Sequence, residues 1–196
     1  MQLSLAREYA EIIKTALAGV CARIEIAGSA RRGQPEGIHD IEIVAVPYPV
    51  KAVFGNLPVS DLHHLTDALC EEGVMLHRLD KNWRSAWGMR YRRAVWHFDD
   101  QHSAPLDLFI CEPGNFGAIF CIRTGPDDFS KLIVTARRFG GAMPTGMRQQ
   151  DGWLWQGTTR LATPTELDFF AALGLPFIEP AERTAEWLSV LLREAA

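Results

Sequence analysis

Apolar residues near the start of the chain fall three and four positions apart: Leu5, Tyr9, Ile12, Ile13, Ala16 and Leu17. That spacing is the period of an amphipathic helix. The pattern changes at Arg23-Ile24-Glu25-Ile26, where alternation predicts a strand that runs directly into Gly28-Ser29-Ala30-Arg31-Arg32-Gly33. A loop with Gly37 leads to a second strand, Asp40 to Val46, stopped by Pro47. Residues 60–72 read as a helix ending at Gly73, and Val74 to Leu79 and Ala94 to Phe98 as strands. Leu106 to Ile110 is another strand, with Pro105 before it and Pro113 after, and a helix is expected around Gly114 to Phe120.

Past Gly125 the pattern predicts a helix over residues 127–139, ended by Gly140 and Gly141. Asp151-Gly152, between Met147–Gln150 and Trp153–Trp155, is a two-residue hairpin signal. Thr163 fits an N-cap, Pro164 the first helical position and Glu166 the reciprocal capping-box acid of a helix ending at Gly174. A last helix is expected from about Pro180 to the C-terminus. There is no internal repeat, and a soft lobe boundary falls near residues 121–125.

A length of 196 residues suits one compact domain or two small lobes. No apolar run approaches the roughly 20 residues that span a bilayer. Acidic residues occupy the N-terminus where a signal peptide would be apolar, so a cytoplasmic location is expected. Cys21, Cys70, Cys111 and Cys121 have no metal-ligand spacing and are expected to be reduced, mostly buried thiols. The net charge of −4 argues against nucleic-acid binding through bulk charge. A local basic track remains open: residues 81–93, KNWRSAWGMRYRR, hold five of the 20 Lys and Arg and no acid, and Arg137, Arg138 and Arg148 form a looser cluster. The run fits a solvated face, while Trp83, Trp87 and Tyr91 fit core residues at helical spacing.

Chemistry concentrates at three acids. Asp40 and Glu42, two apart on a predicted strand, point to one face. Asp107 interrupts another apolar strand. Burying unpaired carboxylates is costly, and three of them on neighbouring strands would make a hard-oxygen site suited to Mg²⁺. A purely structural assignment also fits, with Asp40 capping a turn, Glu42 facing solvent and Asp107 paired with an arginine. Upstream, Gly28-Ser29 follows a strand and opens a turn whose amides can cradle phosphate. Ser29 adds a hydroxyl, and Arg31 and Arg32 add guanidinium groups that grip phosphate through paired hydrogen bonds.

Gly28-Ser29-Ala30-Arg31-Arg32-Gly33 through Asp40-Ile41-Glu42 resembles the GS-x-RRG…DxD signature of family X DNA polymerases. Leu106-Asp107-Leu108-Phe109 is similar to the strand carrying that family's third metal ligand, and Arg123 to Lys131 resembles its YFTGS segment and following helix. Thr165-Glu166…Phe170 to Ile178…Pro180…Arg183 resembles its C-terminal thumb motif. Pattern and resemblance together imply a mixed α/β (α+β) fold: a nucleotidyltransferase palm over 1–122 with a roughly five-stranded sheet, then an α+β thumb over 123–196. The resemblance assigns two Mg²⁺ ions, with Mn²⁺ a possible substitute, to Asp40, Glu42 and Asp107, with Asp107 nearest the primer 3′-hydroxyl. It assigns Gly28, Ser29 and Arg32 to the nucleotide phosphates, Gly125 to the sugar, Asp127 and Ser130 to the base, and Lys131 to the DNA template. The implied partners are gapped or primed DNA and nucleoside triphosphates, with no membrane and a monomeric protein.

The chain also departs from that pattern. The second carboxylate is Glu42 rather than Asp, and Ile122 and Arg123 replace the aromatic pair that helps exclude ribonucleotides. Pro126 removes an amide donor after the TG pair, and Ser130 stands where an asparagine is expected. No N-terminal lyase domain or full fingers domain is expected, so lyase activity is not. Two alternatives stand beside a templated gap-filling polymerase: a nucleotidyltransferase that is untemplated or acts on RNA or protein, and a non-catalytic DNA-binding module. His39 is expected as a turn residue beside Asp40, and the other five histidines share no ligand spacing.

Overall fold

The computed structural model describes residues 1–49 and 59–194. Along the chain run α1 (Leu3–Ala18), β1 (Cys21–Ile26), α2 (Gly28–Arg32), β2 (Ile41–Pro47), α3 (Asp61–Glu71), β3 (Met75–His77), β4 (Tyr91–His97) and β5 (Ser103–Ile110). Then come α4 (Phe116–Thr124), α5 (Asp127–Val134), β6 (Met147–Gln150), β7 (Trp153–Gln156), β8 (Thr159–Leu161), α6 (Glu166–Leu173) and α7 (Ala185–Glu194). The fold is mixed α and β, as the sequence pattern implies. The chain divides into two compact units, Met1–Ile26 with Pro35–Cys111, and Ala27–Gln34 with Glu112–Ala196. The division expected between residues 122 and 123 falls inside α4, whose Ala118 and Cys121 belong to the core of the second unit.

In the first unit five strands form a mixed sheet in the order β1-β2-β5-β4-β3. Among the described residues only β2 and β5 of this sheet pair in parallel; the other neighbours are antiparallel. The interior strand β2 buries Ile41, Ile43, Val44, Ala45 and Val46, as a strand covered on both faces should. α1 packs on β1 and β2 through Ala6, Tyr9, Ala10, Ile13 and Leu17. Leu5 and Ile12 lie on its exposed side, so the buried seam is narrower than the full apolar set. Burying Ile13 or Leu17 completely contributes about 1.5–3 kcal/mol each. β5 starts at Ser103, earlier than Pro105 implies. Pairing with β2 begins only at Leu106, so the missing proline amide does not interrupt that ladder.

In the second unit α4, α5, α6 and α7 enclose a core of Phe129, Ile133, Leu154, Phe169, Phe170 and Leu173. β6, β7 and β8 form a three-stranded antiparallel sheet. The first hairpin turns at Asp151 (φ 54°) and Gly152 (φ 81°), the left-handed pair that a two-residue turn needs. The helix expected over 127–139 stops at Val134, because Thr135 is extended and Ala136 bridges to Met143. The α6 cap sits two residues later than the pattern indicates. Thr165 is the N-cap and Asp168 the reciprocal acid, with Asp168 N to Thr165 Oγ1 at 3.2 Å and Thr165 N to Asp168 Oδ2 at 2.9 Å. Gly174 ends α6 in the left-handed conformation, as expected. The last helix begins at Ala185 after a short 3-10 turn and is described to Glu194; Ala195 and Ala196 lie outside the described residues.

Candidate functional site

The expected site residues divide between the units: Asp40, Glu42 and Asp107 in the first, and Gly28, Ser29, Arg32, Gly125, Asp127, Ser130 and Lys131 in the second.

The parallel pairing of β2 with β5 sets Glu42 directly beside Asp107. Registered neighbours in a sheet share a face; Asp40 lies one residue before β2, and Arg78 reaches both it and Asp107, so the three acids gather on one side. On the other side of β5, Arg93 of β4 is registered with Asp107 and Tyr91 with Phe109. Arg78 follows β3, and its amide donates to Arg93 O at 3.2 Å. Its guanidinium donates to Asp107 through Nη2 at 2.5 Å from Oδ1, and the same nitrogen lies 3.8 Å from Asp40 Oδ2. Arg93 Nε is 3.6 Å from Asp107 Oδ1 and donates to Tyr91 Oη at 2.9 Å. The Tyr91 hydroxyl also works to lower the Asp107 carboxyl.

Asp107 is thus a buried acid among two arginines, a phenol and a second acid. Burial pushes its carboxyl above the usual range; Arg78 pulls it down and Asp40 pushes it further up. Burial likewise raises the Tyr91 phenol, helped by the Asp107 charge.

The donor chemistry, three carboxylates on one face, fits a hard divalent ion. The present arrangement does not gather them as a chelate. Among the described residues no group of three or more His, Cys, Asp or Glu side chains is placed to hold a metal ion. A guanidinium, Arg78, reaches the two aspartates instead. The structural assignment of Asp107 to an arginine partner is therefore the arrangement observed. Sequence reasoning misses Arg78, Arg93 and Tyr91 as members of this face. Tyr91 and Arg93 lie within a basic run, and no spacing ties Arg78 to an aspartate 29 residues away.

That basic run is neither a uniform solvated face nor a helix. Its last three residues enter β4, where Arg92 is buried and donates to His63 O, Thr66 Oγ1 and Asp67. Trp87 lies against Arg92 and His77, whereas Trp83 is 84% exposed with φ 60°. His39 is exposed, and His63 caps α3 through Ser60 Oγ at 2.6 Å. All four cysteines are free; three are buried and Cys70 is half-buried.

In the second unit the GSARRG segment folds as α2. Gly28 (φ 63°) opens it, and Gly33 (φ 75°) closes it in the left-handed region, where a side chain would be strained. Arg31 forms a bidentate pair with Glu166, at 2.8 and 2.6 Å, and donates to Thr124 Oγ1 at 2.7 Å. Arg183 grips the same carboxylate at 2.7 Å. Burial works to raise the Glu166 carboxyl, but hydrogen bonds from Arg31 and Arg183 outweigh it and hold it below the usual carboxylate range. Arg32 donates to Thr124 O at 2.6 Å, so both arginines meet the C-terminal end of α4, where helix carbonyls favour cations.

Gly125 follows α4. A Cβ there would lie 2.4 Å from Phe129 Cδ1 and 2.8 Å from Ser130 Oγ, so packing of α5 alone demands glycine. The Ser130 hydroxyl donates to Ile122 O at 2.6 Å. Asp127 and Lys131 are exposed and form an i,i+4 ion pair at 3.8 Å, an interaction worth only about 0.3–0.5 kcal/mol. Ser29 is half-buried on α2. Among the described residues, then, Arg31, Arg32, Gly125 and Ser130 have internal packing and hydrogen-bonding roles whatever else they do.

No family model and no curated protein sequence matches the chain.

Proposed function

We propose that the protein is a metal-dependent nucleotidyltransferase that extends a DNA primer 3′-end in short gaps, in the manner of the family X polymerases its motifs resemble. The observation that carries this is the register placing Glu42 of β2 beside Asp107 of β5, with Asp40 on the same face. Three acids on adjoining strands need countercharge, and a phosphoryl-transfer site supplies a reason for them. The GSARRG and thumb motifs support the same reading independently.

Asp40, Glu42 and Asp107 would hold two magnesium ions. Bound there, the ions would neutralise triphosphate charge and activate the attacking hydroxyl. The reaction forms a bond from the primer 3′-oxygen to the α-phosphorus and breaks the bond to pyrophosphate. Catalysis of this kind comes from positioning and electrostatics. Ser29 and Arg32 would contact the β- and γ-phosphates, Arg32 through donors other than the one it gives to Thr124 O. With Ile122 and Arg123 in place of an aromatic pair, discrimination against ribonucleotides should be weak.

A labelled primer on a one-nucleotide gap, with Mg²⁺ or Mn²⁺ and each dNTP or NTP singly, tests this. Template-matched extension, lost in Asp107→Ala, is expected, with ATP and dATP used at rates within about two orders of magnitude. Untemplated addition would move the acceptor specificity, and no extension with any metal would overturn the reading.

A further inference from the structure

The acidic face of the first unit already carries a cation. Arg78 Nη2 is 2.5 Å from Asp107 Oδ1 and 3.8 Å from Asp40 Oδ2. The contact is shielded: the Asp107 side chain is 12% exposed and that of Arg78 23%. A pair this sheltered costs desolvation, and removing one partner leaves the other charge uncompensated. Arg93 is less engaged, with Nε 3.6 Å from the same oxygen and its donor directed at the Tyr91 hydroxyl.

We propose that Arg78 is the resident counter-cation of the metal-free site and exchanges with the first divalent ion, so that it sets the metal affinity. The proposal rests on the metal reading above. A guanidinium hydrogen-bonded to Asp107 Oδ1 and a metal ion on that oxygen exclude one another, by space and by like charge. Metal binding by Asp40 and Asp107 must therefore break the Arg78 contacts first, and apparent affinity falls by their strength. Without metal, Arg78 keeps Asp107 compensated and the face ordered. Arg78 is thus a positioning residue, acting through the two carboxylates.

The test uses the full chain, with Mn²⁺ as the probe and free Mn²⁺ read by its paramagnetic resonance signal, beside thermal unfolding with and without metal. Arg78→Gln should bind Mn²⁺ about tenfold more tightly, a change worth about 1.4 kcal/mol. It should also melt lower than wild type without metal and gain more on adding it. Arg78→Lys, which keeps charge but not the forked donor, should fall between. Asp107→Asn should bind weakly in either background. If both Arg78 variants fold and bind Mn²⁺ as wild type does, while Asp107→Asn weakens binding, the exchange idea is wrong and the metal reading survives. A lower melting point without a change in affinity would overturn the exchange idea in the same way. If no form binds Mn²⁺ in an Asp107-dependent way, the metal reading fails and this proposal with it.

Discussion

Glu166 shows how much one carboxylate can hold together. It accepts from Arg31 and Arg183, and Arg183 is itself fully buried beneath Phe170 and Phe177. Replacing it with Gln would leave two guanidinium groups short of countercharge, so Glu166→Gln should cost about 3 kcal/mol at neutral pH in urea unfolding. The pH dependence follows from its lowered folded-state pKa. The stabilisation is complete above the ordinary carboxylate range and is lost as pH falls through the folded value. The gap between wild type and Glu166→Gln should therefore narrow on acidification; a constant gap would contradict it. Sequence alone misassigns this residue. Thr163 with Glu166 and Thr165 with Asp168 both match the capping pattern, and local spacing cannot choose between them. The choice is made by Arg31, 135 residues away along the chain.

Elements meet where glycine lets them. At Gly117 an added Cβ would fall 1.9 Å from Thr165 O, and Gly117 N donates to Thr163 O at 2.8 Å. α4 therefore approaches the start of α6 at backbone distance. Gly117→Ala should destabilise by about 3 kcal/mol or more in chemical denaturation. Gly19→Ala, with open space around it and φ −61°, should be neutral or slightly stabilising. Equal effects at the two positions would sink this packing account. Elements with strong periodicity, α1 and β2 above all, are legible from sequence. β4 reads three residues short because Tyr91-Arg92-Arg93 looks like a basic surface, while its partners, Asp67 and Asp107, come from other elements. β8 escapes a sequence reading because Thr159-Arg160-Leu161 is too short to carry a period.

For the molecule as a whole, the fold class and a five-stranded sheet are readable from sequence, but strand order is not. Alternation places Asp40 and Glu42 on one face; only the β2–β5 crossover brings Asp107 to it. The counter-cation is hidden for the same reason, since Arg78 joins the face through pairing of β3, β4 and β5 in turn. Among the described residues no helix is long and apolar enough to cross a membrane.

The proposed function depends on these three acids supporting nucleotide transfer, and Asp107→Asn probes that with almost no change in shape. The measurement is pyrophosphate released per labelled nucleotide joined to a gapped primer, for wild type and variant side by side. The wild type should release one pyrophosphate per addition, and the variant should lose about 10²–10³-fold or more in rate, the scale of losing one essential electrostatic group. Nucleotide addition by Asp107→Asn at the wild-type rate would contradict the proposed function.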